Sequence, residues 1–124
     1  MKCILNDEEP IYIQIARAIE DEILQGGFEE ETQVPSTNEL SRIYQINPAT
    51  VLKGINLLVD REILYKKRGI GMFVSTGATA SIRETRKESF KQVVITNLFQ
   101  EAKKLGISKA DLIEMIQNSE EGEA

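Results

Sequence analysis

The sequence predicts a mainly α-helical fold with one small β-hairpin, followed by a C-terminal two-helix unit. Three observations predict it. Apolar residues recur every three or four positions over most of the 124-residue chain. Two helix-start signals stand close together: Ser36 with Glu39 three residues on, and Asn47-Pro48. After the second of these helices the period drops to two, on either side of Gly69 and Gly71. Helix, capped helix, capped helix, hairpin is the order of a winged helix-turn-helix.

The elements follow in sequence. Asp7, Glu8, Glu9 and Pro10 open the first helix, with acids where the macrodipole favours them and Pro10 at the first position. Ile11, Ile15, Ala18, Ile19 and Ile23 form its apolar stripe, and Gly26-Gly27 ends it. "FEEETQ" reads as a polar loop. A second, short helix starts at Ser36, with Leu40, Ile43 and Tyr44 as its buried candidates. A third runs from about Pro48 to Arg61, with Val51, Ile55, Leu58 and Val59 on one face and Leu52 and Leu57 flanking it. Ile63 to Lys66 and Met72 to Val74 make the hairpin. Residues 1–75 are thus expected as one domain, 76–81 ("TGATAS") as a linker, 82–118 as a helical unit and 119–124 as a frayed tail. In the helical unit a long helix is expected from Ile82 to Lys104. Gly106 stops it, and Ser108 with Asp111 starts another, striped by Leu112, Ile113 and Ile116.

Composition narrows the chemistry. There is no histidine, hence neither the usual general base nor the commonest metal ligand. With Cys3 as the single cysteine, no metal site, catalytic residue or cofactor is expected, and an intramolecular disulfide is impossible. No apolar run is long enough to span a bilayer and no signal peptide is visible, so a cytoplasmic protein is expected. Charge is unevenly spread. Residues 1–32 hold two cations and nine anions, residues 33–74 six cations and three anions, and residues 75–124 seven cations and eight anions. The net charge of −5 therefore hides a basic middle third. Screening over about 8–10 Å makes that local field the one a nucleic acid meets.

Four groups of residues are candidates for recognition. The start of the third helix offers Asn47, Thr50, Lys53 and Asn56 to a major groove, with Ala49 and Gly54 allowing close approach. Asn47 also reads simply as a helix cap. Lys66, Lys67 and Arg68 stand at the hairpin tip, where Gly69 and Gly71 permit a tight turn against a phosphate backbone. Ser36, Thr37 and Asn38 open the second helix, whose free N–H groups suit a phosphate. Finally, Phe90, Val94, Leu98, Leu112 and Ile116 form an apolar face that a second copy of the chain would cover, pairing two recognition helices on a two-fold operator. The competing arrangement folds that face back onto the first helix.

"PIYIQIARAIEDEILQGGF", "VPSTNELSRIYQINPATVLKGINLLV" and "ILYKKRGIGMFV", in this order, resemble the N-terminal domain of GntR-type bacterial transcription regulators. The tail "EAKKLGISKADLIEMI" resembles the short YtrA-type subfamily. The resemblance implies a dimeric repressor, often of a transporter operon, with DNA contacts at Ser36, Thr37, Asn38, Asn47, Thr50, Lys53, Arg68 and Gly69. Four positions depart from the family pattern. Asn38 replaces a base-reading Arg, Glu30-Glu31 replaces Pro-Gly and brings acid towards the DNA-facing end, and Glu62 replaces a helix-ending Gly. About forty residues of tail are too few for a separate effector domain. A small-molecule effector, if there is one, is expected at the dimer interface or between the winged domain and the tail. The alternative function is a winged-helix protein-interaction module without specific DNA binding.

Overall fold

The computed structural model describes residues 5–120. Cys3 and residues 121–124 of the expected tail lie outside them. The chain forms two compact units, Met1–Glu84 and Thr85–Ala124.

The first unit holds helices α1 (Ile11–Leu24), α2 (Thr37–Tyr44) and α3 (Pro48–Asp60), strands β1 (Leu64–Lys67) and β2 (Gly71–Val74), and the start of α4 (Ala78–Ser89). Pro10 is the N-cap of α1 rather than its first residue, and the acids before it lie outside the first turn. Glu9 acts through its side chain instead. The Arg17 guanidinium donates to both Glu9 carboxylate oxygens at 2.8 Å. The buried Gln14 amide donates to the Asn6 and Glu9 carbonyls and accepts from the Asn6 N–H, so the segment before α1 is fastened to it. The core gathers Ile15, Ile19 and Ile23 from α1, Leu40 from α2, Val51, Ile55 and Leu58 from α3, and Leu64 and Val74 from the hairpin.

The hairpin is antiparallel, with Leu64 opposite Val74 and Lys67 opposite Gly71. The expected polar loop before α2 is partly extended. Glu31 N–H donates to the Val74 carbonyl, Val74 N–H to Thr32, and Val34 N–H to Met72. Gln33 pairs with Phe73, giving β2 a neighbour on its second edge.

The expected linker at 76–81 is corrected by the structure. Helix α4 begins at Ala78, and Ala78 and Ile82 are buried in the core of the first unit. The stretch looks like a linker because its residues are small and polar. One helical turn nevertheless places Ala78 and Ile82 on the same side, and burial of that pair decides the structure. The Glu30 carboxylate accepts from the Gly77 and Thr79 N–H groups, satisfying donors at the start of α4.

In the second unit Phe90–Ile95 is wound as a π-helix and leads into α5 (Thr96–Lys104). Ser89 and Thr96 on either side keep helical dihedrals. The long helix expected from Ile82 is therefore present, with a wider turn that apolar spacing does not reveal. Gly106, at φ +68°, ends α5, and Ser108 with Asp111 forms a capping box for α6 (Lys109–Gln117). Among the described residues no helix is long and apolar enough to cross a membrane.

Candidate nucleic-acid interface

Helix α2 begins in a capping box. Ser36 Oγ accepts from the Glu39 N–H, and the Glu39 carboxylate accepts from the Ser36 N–H. That bond holds the Glu39 carboxyl below its ordinary pKa. The box orients the first turn and leaves Thr37 and Asn38 on its outer side. Asn47 Oδ1 accepts from the Ala49 N–H at 2.8 Å, so Asn47 caps α3.

Helix α3 buries Val51, Gly54, Ile55 and Leu58 and exposes Ala49, Leu52, Lys53 and Asn56. Gly54 therefore serves packing. A Cβ there would lie 2.8 Å from the Tyr12 carbonyl oxygen of α1 and 3.3 Å from Ile15 Cγ2. The close approach expected of it is to α1, not to an outside partner. Lys53 is also turned towards α1, with Nζ 4.2 Å from the centre of the Tyr12 ring. Thr50 is half-buried.

At the wing, Gly69 (φ +78°) makes the turn that closes with the Ile70 N–H on the Lys67 carbonyl. Gln33 Nε2 donates to the Ile70 carbonyl and braces the tip. A Cβ on Gly71 would lie 2.5 Å from that nitrogen. Lys66, Lys67 and Arg68 are exposed. The Lys67 ammonium lies 4.1 Å from the Phe73 ring centre and 6.0 Å from that of Tyr65, which orients it.

A cleft of about 410 Å³ joins these elements. Ser36, Thr37 and Asn38 line it from α2, Leu52 and Asn56 from α3, and Lys66, Ile70 and Met72 from the wing. The structure thus brings five of the sequence candidates, Ser36, Thr37, Asn38, Asn56 and Lys66, to one opening. Asn47, Thr50, Lys53, Lys67, Arg68 and Gly69 lie outside its lining. The sequence places Leu52 beside the buried face, but it is 47% exposed. Its helical phase, roughly 100° from Val51, was the available signal. Nothing local in the sequence connects Lys53 to Tyr12.

The acids near this end have structural partners. The Glu31 carboxylate accepts from the Tyr65 hydroxyl and from the Thr76 N–H and hydroxyl. These bonds, the Tyr65 one foremost, hold Glu31 below the ordinary carboxylate range and push the Tyr65 hydroxyl up. The Gly77 and Thr79 N–H groups do the same for Glu30. In the second unit Phe90, Val94, Leu98 and Ile116 are 54%, 48%, 37% and 59% exposed. Leu112, expected beside them, is buried within a single chain at 8%.

Residues 11–74 match the bacterial regulatory proteins of the gntR family. The chain is 33% identical over 90 residues to the HTH-type transcriptional repressor YtrA of Bacillus subtilis, covering 69% of each. It is similar to the structure of a GntR family transcriptional regulator from Listeria monocytogenes, at 31% identity and TM-score 0.76, covering 94% of this chain and all of that one. It is also similar to the DNA-binding domain of AraR in complex with operator ORE1, at 31% identity and TM-score 0.53, over 60% of this chain and 94% of that one. With more than half of its length inside the family match and a winged helix-turn-helix at the matched residues, the chain belongs to the gntR family of bacterial regulatory proteins.

Proposed function

We propose that the protein is a homodimeric, sequence-specific DNA-binding transcription regulator acting as a repressor in the cytoplasm. The observation that carries this reading is the shared opening of the α2 N-terminus, the outer face of α3 and the basic wing. It matches what a duplex needs. Backbone N–H groups and Lys66 meet phosphates, α3 presents side chains to base edges, and the wing follows the neighbouring backbone. Ser36, Thr37, Lys66, Lys67, Arg68 and Gly69 act on phosphates, and Asn38 and Thr50 on bases. Asn47 positions α3 through its cap. Lys53 contacts DNA outside the cleft, from its place against the Tyr12 ring. The structure of AraR with an operator and the repressor YtrA support the function class.

Dimerisation rests on Phe90, Val94, Leu98 and Ile116, apolar side chains that a single chain leaves open to water. Two copies related by a two-fold axis require an operator of the same symmetry. The test is selection from a random duplex library at about 150 mM salt. A two-fold-symmetric motif is the expected result. Absence of enrichment at any salt, with a protein partner found instead, would establish the interaction-module alternative.

A further inference from the structure

We propose that Leu52 reads the 5-methyl group of a thymine in each operator half-site, which makes it a specificity-determining residue of the DNA face; this rests on the DNA-binding reading above. An exposed leucine alone signals nothing. This one stands 47% exposed on α3 and lines the cleft between α2, α3 and the wing. Its neighbours there are of two kinds. Asn38 and Asn56 bring carboxamides, and Ile70 and Met72 extend the apolar surface. The cation beside it on α3, Lys53, is drawn towards Tyr12. Lys66 is the cation in the lining, and it comes from the wing.

Carboxamides beside apolar carbon suit one base pair. Adenine shows N7 and N6–H₂ to the major groove, which an Asn amide can match with two hydrogen bonds. Thymine shows its methyl, which only an apolar contact rewards. A guanine, with two acceptors, would call for a cation at the same place. The cleft therefore selects an A·T pair, with Asn38 or Asn56 on the adenine edge and Leu52 on the methyl. Removing a methyl from water changes affinity about fourfold. Two half-sites would bring that to roughly fifteenfold.

The probe is the operator recovered from the random library, resynthesised with deoxyuridine in place of each thymidine in turn. Uracil pairs as thymine does and lacks only the methyl. The wild-type full chain should lose affinity about fourfold at one thymine position per half-site. Leu52→Ala should bind the thymine and uracil duplexes equally at that position, and Leu52→Met, which keeps an apolar reach, should retain the penalty. Circular dichroism of both variants checks that helix content is kept. Equal wild-type tolerance of uracil everywhere, or a penalty unchanged in Leu52→Ala, would overturn the methyl contact and leave DNA recognition standing. Failure to recover any duplex would overturn both.

Discussion

Glu31 at φ +64° and Glu62 at φ +60° both occupy the left-handed region that favours glycine. Their side chains separate them. Glu31 spends its carboxylate on Tyr65 and Thr76, tying the segment before α2 to the hairpin and to the second residue after β2. Glu62 follows the C-cap of α3 in a Schellman arrangement, its N–H on Val59 and the Ile63 N–H on Leu58, bonds that glycine would make equally well. Glu62→Gly should therefore raise stability by about 1 kcal/mol, while Glu31→Gly should lower it, because the relief of backbone strain is outweighed by lost hydrogen bonds. Urea denaturation of the two variants checks both signs. At the wing, Lys66→Ala should weaken binding to every duplex alike and reduce the slope of log affinity against log salt by about 0.9. A loss confined to the selected operator would instead make Lys66 a base reader.

At the scale of elements, the junction before α4 and the contact between α1 and α3 carry the fold. Glu30 and Glu31 have pKa values lowered in the folded chain by the N–H and O–H groups they accept from. The stability they contribute is full above the ordinary carboxylate value of 4.5 and drains away as pH falls through their lower folded values. The melting temperature should accordingly drop below pH 4.5, and Glu30→Gln should flatten that drop. Gly54→Ala should destabilise by roughly 1–3 kcal/mol, since its methyl meets backbone and the close α1–α3 contact must open. Such packing was partly legible in advance. Ser36 with Glu39, Asn47-Pro48 and Ser108 with Asp111 encode their caps within four residues, and all three are where the sequence places them. Gly54 announces a close approach but not the partner. The docking of Ala78 and Ile82, the strand pairing of Gln33 with Phe73 and the hold of Tyr12 on Lys53 join residues far apart in sequence, and no local pattern carries them. At the site, the α2 side of the cleft and the outward phase of Leu52 are encoded locally, while the meeting of α2, α3 and the wing around one cleft is not.

For the whole molecule, a net charge of −5 coexists with a basic middle third because six of the fifteen cations and only three of the twenty anions fall in residues 33–74. The second unit gives the opposite impression, with Phe90, Val93, Val94, Phe99, Ile113, Met115 and Ile116 left exposed on a short helical segment. Sedimentation should show a dimer, and Val94→Glu with Leu98→Glu should yield a monomer that keeps the winged unit's helix signal and loses affinity for the symmetric operator. A monomer in the unmodified chain would remove the two-fold model. Returning to Gly54, its missing side chain fixes α3 from behind, while Ala49, Leu52, Lys53 and Asn56 face outward without filling the core. Those outward positions can be rewritten at little cost to folding. An exchange at Ala49, Leu52 or Asn56 changes what α3 presents to its surroundings, whereas an exchange at Gly54, which faces α1, changes whether the scaffold holds α3 in place at all.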